Sequence, residues 1–229
     1  MTRQNPGGIN PEIKGKGRRA VRRIFDMENP FWQGLSVIAD MMLLNLLTLL
    51  CCAPVITAGA ALTAMNDVVI RIIRQEESSI LKGYGRAFRQ NLKNGILFGL
   101  ILLAAAGLLY FDYLCALTYA PIFRYGIAAL AILLLALTIY TLALLARYDN
   151  PLRVTLKNAV MLAVAYFPQT LGMLCFTTAF WLLCIQFWRY GTPVLILFGF
   201  SLPCYVCILL MRKMFAQLEE EEDDGGKSE

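Results

Sequence analysis

The sequence predicts an all-helical membrane protein: a polytopic transmembrane helical bundle of five to six segments arranged as hairpins, with both termini on the cytoplasmic side. Three observations carry this. First, 58% of the 229 residues are hydrophobic and only 16% are charged, against roughly 25% charged in soluble domains, and the mean hydropathy is +0.58. Second, charge is missing over long runs: residues 94–123 hold a single formal charge, Asp112, and residues 125–146 hold none. A helix needs about 20 mostly apolar residues to cross a bilayer, so several crossings are required. Third, the lysines and arginines are distributed as alternate loops on one side would have them.

Residues 1–17 are rich in Gly, Pro and polar groups and read as a disordered basic tail. Residues 18–32, RRAVRRIFDMENPFW, set Arg18, Arg19, Arg22 and Arg23 beside Phe25, Phe31 and Trp32. Basic groups next to a span attract anionic lipid headgroups by about 1 kcal/mol each, and aromatics favour the interface. This stretch reads as a juxtamembrane amphipathic helix. Apolar segments follow at 35–53, 55–73, 95–117, 124–146, 159–188 and 193–211, the domain running over 18–213. The first is expected to stay as an anchor, because 34 residues precede it, unlike the short basic region of a secretory signal. Pro168 divides the fifth, whose first part, 156–166, is expected to lie in the interface. Residues 214–229, with EEEEDD at 219–224, read as a disordered acidic tail.

APVITAGAALTAMND, residues 53–67, decides the topology. Basic residues collect on the cytoplasmic side. If the chain turns at Pro54 and 55–73 returns, all of the 21 lysines and arginines except Arg124 and Arg189 lie inside. If 35–70 crosses only once, the basic residues of 71–93 and 147–157 move outside. The turn is therefore predicted, with 55–73 returning as a short full span or a re-entrant half-helix. Proline suits the break, and Ala58, Gly59, Ala60, Ala61 and Ala64 suit close helix contact. The segment 74–94 is amphipathic, with Ile80, Leu81, Tyr84, Phe88 and Leu92 at helical spacing. It is expected on the inner membrane face or against a partner, with Arg86, Phe88, Arg89 and Lys93 joining Arg18, Arg19, Arg22 and Arg23 as the partner or lipid surface. A faint repeat links YGRAFRQNLKNGI (84–96) to YDNPLRVTLKNAV (148–160) through Tyr84/Tyr148, Arg89/Arg153, Leu92/Leu156, Lys93/Lys157 and Asn94/Asn158. It fits a parallel repeat of helical hairpins, and convergence at two cytoplasmic helix entries explains it almost as well.

Chemistry-bearing residues are few. The chain has no histidine, which removes the commonest general base and metal ligand. No catalytic residue, cofactor site or metal site is expected. Cys204 and Cys207 form a C-x-x-C in an apolar setting, read as small buried hydrophobes. No glycine-rich nucleotide loop occurs, and no basic face with aromatic platforms suggests nucleic acid. Thr57, Thr63, Asn66 and Asp67 are the candidate polar cleft beside Pro54, since an acidic group at membrane depth usually faces protein or water. The competing expectation, which is preferred, pairs Asp67 with Arg71 one helical turn on. Asn45 is expected to hydrogen-bond to another helix, and Asp112 to be an interfacial carboxylate.

The stretch from NLLTLLCCAPVITAGAALTAM through AFRQNLKNG to YFD at 110–112 resembles the YesL family of bacterial integral membrane proteins. The family pattern, an apolar run, Pro-x-x-Thr-x-Gly-Ala and a basic amphipathic segment ending near Phe-x-x-Asn, falls here on Pro54, Thr57, Gly59, Ala60, Phe88 and Asn91. ARYDN at 146–150 and LKNA at 156–159 also look familial, and the likeness covers about residues 25–212. Ala61 stands where relatives often have proline. The resemblance implies the bacterial plasma membrane and no assigned molecular activity. Members are often encoded near carbohydrate uptake systems and sugar-sensing regulators, which implies an accessory role with a sugar permease or sensor as partner. The expectation is a non-enzymatic accessory protein. The alternative is a small transporter or a solute- or lipid-binding protein with its own intramembrane cleft; a membrane enzyme has the least support.

Overall fold

The computed structural model describes residues 30–74, 76, 79–119, 122–148 and 150–212, and within these the side chains of 30–33, 118–119 and 188–190 are left aside. The expectations for residues 1–17, for Arg18, Arg19, Arg22 and Arg23, and for the acidic tail fall outside them. The described residues form helices and turns, with no strand. Contacts divide the chain into two compact units, Met1–Asp40 and Met41–Glu229. The first supplies the opening residues of helix α1 (Pro30–Cys52); the packing below is that of the second.

After α1 come a 3-10 turn (Val55–Thr57), α2 (Ala58–Ile73) and α3 (Ile80–Gln90). Then follow α4 (Leu92–Tyr119), α5 (Phe123–Arg147), α6 (Leu152–Ala165), α7 (Phe167–Gln186) and α8 (Trp188–Phe198). The last described helix is α9 (Ser201–Arg212), bent 58° from residues 191–198 of α8. Five of the helices are long and apolar enough to cross a membrane, and α8–α9 makes a sixth if the bent pair is one span.

Prolines set the boundaries. Pro54 is extended (φ −77°, ψ 111°) between α1 and the 3-10 turn. The Thr57 hydroxyl is 2.7 Å from the Cys51 carbonyl oxygen and 2.8 Å from that of Pro54, occupying carbonyls the helix end leaves open. Val55–Ile73 then runs for 19 residues, long enough to cross. Pro151 caps α6 in an extended conformation. Pro168 lies in the first turn of α7, beyond a break at Tyr166 that divides the fifth apolar segment as expected.

The sixth apolar segment is bent. Residues 193–211 read as one apolar segment, and within it the helix breaks between Phe198 and Ser201, a break the hydropathy does not signal. Pro203 has no N–H to offer the carbonyl four residues back, that of Gly199, and the bend falls there, whereas Pro193 is carried inside α8. The broken ends are closed by Asn45, fully buried on α1. Its Nδ2 donates to the carbonyl oxygens of Leu195 (3.3 Å) and Ile196 (2.8 Å). Its Oδ1 accepts from the amides of Phe200 (2.9 Å) and Ser201 (3.1 Å). One carboxamide thus caps the end of α8 and the start of α9.

Helix α2 is the centre of the second unit. It packs against α3, α4 and α5, and 61% of its span window is buried inside the protein, against 6% for α4. Small residues explain this. A Cβ on Gly59 would stand 2.7 Å from Cα of Gly99, and one on Gly95 would stand 2.6 Å from Cα of Ala60. Backbone meets backbone at the α2–α4 crossing, so Gly59 opposes the pair Gly95 and Gly99. Two apolar clusters complete the core. Phe98, Leu142, Leu145 and Leu152 join α4, α5 and α6. Tyr140, Leu144, Ala159, Met173, Cys207 and Met211 join α5, α6, α7 and α9. The Tyr140 and Thr170 hydroxyls are 2.8 Å apart, tying α5 to α7.

The amphipathic segment forms α3, but with a shifted buried face. Ile80, Gly83, Tyr84 and Ala87 are buried, Phe88 is half-buried, and Leu81 and Leu92 are exposed. The helix stops at Gln90 and Asn91 redirects the chain into α4, so Leu92 never shares the α3 face. The paired stretches 84–96 and 148–160 occupy different places: the first crosses the α3–α4 break, whereas the second runs from the end of α5 into an unbroken α6.

Two outcomes follow. Gly59→Ala, and more severely Gly99→Val, should force α2 and α4 apart at a cost of about 1–3 kcal/mol or more, read as a lowered midpoint of thermal unfolding in detergent micelles. Asn45→Leu keeps the branching at Cγ but leaves two carbonyls and two amides unsatisfied in an apolar interior. At about 1–3 kcal/mol per buried orphan group, it should lower the midpoint more than Thr138→Val, whose half-buried hydroxyl donates to Leu134 of its own helix.

Candidate functional site

The ends of α2 and α5 meet the α3–α4 junction in a cleft of about 290 Å³. From α2 and the turn after it come Asp67, Arg71, Arg74 and Glu76; Gln90 and Asn91 come from the junction, and Arg147 from the last residue of α5. The folding of each piece accounts for the meeting. Arg71 and Arg147 lie in the last turns of their helices, where a cation suits the exposed carbonyl ends. The Glu76 amide donates to the Arg71 carbonyl at 3.0 Å, which folds the turn back over the end of α2. Asn91 Nδ2 donates to the Ala87 carbonyl at 3.1 Å and closes α3.

The electrostatics of the cleft are uneven. Arg71 Nε donates to both oxygens of Asp67, at 3.2 and 3.1 Å. That is the pair expected one turn apart, with the Asp67 side chain 10% exposed and that of Arg71 31%. Arg74 and Glu76 approach only to 3.9 Å, longer than the about 2.7–2.9 Å of a strong charge-assisted hydrogen bond. The Arg147 guanidinium carbon lies 5.7 Å from the centre of the Tyr148 ring, within cation–π range. Three arginines face two carboxylates, so the lining carries a positive excess.

The four residues of the anticipated polar cleft are not brought together. Thr57 ties the turn after α1. Thr63 is fully buried and donates to Gly59, and Asn66 donates to Leu62, both within α2. Asp67 alone of the four lines the cleft. Among the surface candidates, Arg86, Arg89 and Lys93 are exposed and Phe88 is half-buried. Sequence reasoning did not single out Arg74, Glu76, Gln90 or Arg147 as one site. Arg74 and Arg147 stand more than seventy positions apart, and no spacing rule connects them. The one available signal was that each ends or follows an apolar segment on the side rich in basic residues.

Tyr84 anchors α3. Its hydroxyl donates to the Ala61 carbonyl at 3.3 Å, its ring stacks with Phe88 at 6.3 Å, and burial pushes its phenol above the ordinary tyrosine range. All seven cysteines are free thiols. Among the described residues no group of three or more His, Cys, Asp or Glu side chains could hold a metal ion.

Two measurements address these contacts. A double-mutant cycle with Asp67→Asn and Arg71→Gln is expected to give a coupling of about 1 kcal/mol, between the values of exposed and buried pairs; additive effects would remove the pair from the account. For Tyr84 the folded state favours the protonated phenol, so its contribution is complete below the unfolded pKa of about 10 and declines as pH rises above it. Tyr84→Phe should therefore flatten the alkaline fall in stability.

Residues 41–113, from the middle of α1 into α4, match the family described as a protein of unknown function, DUF624. The chain is 28% identical over 178 residues to the protein described as uncharacterized protein YteU of Bacillus subtilis (strain 168), covering 76% of this chain and 75% of that one. No solved structure matches.

Proposed function

We propose that this chain is a non-enzymatic, multi-pass protein of the bacterial plasma membrane that acts by binding a partner, as an accessory to a carbohydrate uptake or sensing system. The observation that carries the binding part is α3. Ile80, Gly83, Tyr84 and Ala87 dock it on the bundle, while Lys82, Arg86 and Arg89 are exposed. A helix held this way presents a rigid basic face, suited to an acidic protein surface or to anionic lipid. The carbohydrate part has its support in the resemblance of Pro54, Thr57, Gly59, Ala60, Phe88 and Asn91 to the YesL pattern.

The alternative is a self-contained transporter or a solute- or lipid-binding protein with an intramembrane cleft. Two findings weigh against such a cleft beside Pro54 or at the α8–α9 break. Thr63 and Asn66 bond to their own helix, and Asn45 occupies the backbone groups that a broken helix would offer a ligand.

A photo-crosslinking residue at Lys82 or Arg89, in native membranes, tests the accessory reading against the same residue at Leu108, exposed on α4. The expected result is a product with a sugar permease or sensor protein from α3 and none from Leu108. A product with a different membrane protein would keep the binding role and remove the carbohydrate assignment. Absence of any protein product from α3 would reject the accessory reading.

A further inference from the structure

We infer that α2 does not cross the membrane. With α3, the first turns of α4 and the last turns of α5 it forms a layer on the cytoplasmic face, and α3 meets its partner there. The partner rests on the reading of α3 given above; the placement of α2 rests on packing alone. Length lets Val55–Ile73 cross, but its neighbours do not. A helix returning across the bilayer from an outer turn at Pro54 would begin beside the far end of α4, near Tyr119. Gly59 instead lies against Gly95 and Gly99, and Ala60 against Gly95. Leu62 packs on the cluster of Phe98, Leu142, Leu145 and Leu152. Asp67 and Arg71 line one cleft with Asn91 and Arg147. From start to end, α2 lies against the first turns of α4 and the last turns of α5. Beyond Gly99, α4 runs on to Tyr119, about 30 Å at about 1.5 Å per residue, the thickness of a hydrocarbon core. The part of α4 left over is itself a full crossing, and α2 stands outside it.

Exposed side chains mark the membrane boundary at the same level. On α4, exposed Lys93 is followed by exposed Leu97, Leu100 and Ile101. On α6, exposed Arg153 and Lys157 are followed by exposed Val160, Met161 and Val164. Basic groups give way to apolar ones where a helix surface enters lipid. On α4 that change falls beside Gly95, which touches the start of α2. Helix α1 comes down to the same layer. Its Asn45 holds the α8–α9 break, whereas Thr48, one turn further on, hydrogen-bonds to the Tyr84 hydroxyl of α3, which also reaches the Ala61 carbonyl. The chain then turns at Pro54 within the layer, and the Asp67–Arg71 pair needs no place inside the bilayer, where charge is costly. The crossings that remain are α1, α4, α5, α7 and the α8–α9 pair. The basic residues of 71–93 and 147–157 stay cytoplasmic, and those ahead of α1 change side. The bias of lysine and arginine is a tendency with exceptions, whereas contact between backbones fixes which ends are neighbours.

The test uses the full chain in a bacterial host. Ile56, 60% exposed in the turn after Pro54, is made the single cysteine of a chain whose seven native cysteines are replaced by serine or alanine. Arg89→Cys on α3 is the cytoplasmic reference, and Tyr125→Cys, exposed beside the α4–α5 turn, the outer one. A membrane-impermeant maleimide is applied to inside-out and to right-side-out vesicles. Ile56→Cys should react in inside-out vesicles, as Arg89→Cys does, and Tyr125→Cys only in right-side-out ones. Reaction of Ile56→Cys in right-side-out vesicles, or in neither, overturns the proposal. A second measurement keeps the native cysteines. An acceptor peptide for a biotin ligase is inserted after Pro54, with the ligase either kept in the cytoplasm or exported. Modification by the cytoplasmic enzyme is expected; modification by the exported enzyme alone, or by neither, overturns the placement. Loss of the α3 cross-link would remove the partner and leave this placement standing, whereas labelling of the turn from outside would remove the placement and leave the cross-link.

Discussion

The contact on which the rest of the second unit depends is the crossing of α2 and α4. Gly59 opposes Gly95 and Gly99 so closely that no side chain fits between them. In lipid there is little hydrophobic gain in joining two apolar helices, so packing and close backbone approach must supply the association. The crossing puts α2 inside the protein, although it carries Asn66, Asp67 and Arg71. Burial in protein is what makes those polar groups tolerable at such a position. With α2 held there, its end is delivered to the α3–α4 junction, and the arginine cleft exists because of that delivery.

Main-chain hydrogen bonding imposes the second constraint. Each interruption of a helix exposes amides and carbonyls that an apolar environment cannot satisfy. The protein meets this with short side chains close at hand: Thr57 after α1, Asn91 after α3, and Thr170, whose hydroxyl reaches the Ala163 and Tyr166 carbonyls at the α6–α7 break. At the α8–α9 break the supplier is remote, Asn45 of α1. The breaks are thereby fixed in angle, and each is a defined joint between two rigid rods.

The architecture was largely legible in the sequence, and the site was not. The apolar segments, the Pro54 turn and the Pro168 division follow from hydropathy and from the missing N–H of proline, which are local properties. The bundle class follows from them, and the Asp67–Arg71 pair followed from helical spacing. The break in residues 193–211 was not signalled because hydropathy is blind to Gly199 and Pro203, and Pro193 in the same segment does not break its helix. The buried face of α3 was shifted because Leu81 and Leu92 belong to the same apolar pattern as Tyr84 but not to the same helix surface once Asn91 bends the chain. The cleft was invisible because it is assembled by tertiary contact: Arg147 and Arg74 meet only after α5 packs beside α2.

The Asn45 amide also bears on the order in which the molecule can be completed. Its partners lie 150 and more positions later in the chain, so the bonds that Asn45 makes in the finished fold form only after α8 and α9 have been made. One side chain thus makes the seating of α1 and the bend between α8 and α9 a single event, each settled only when the other is.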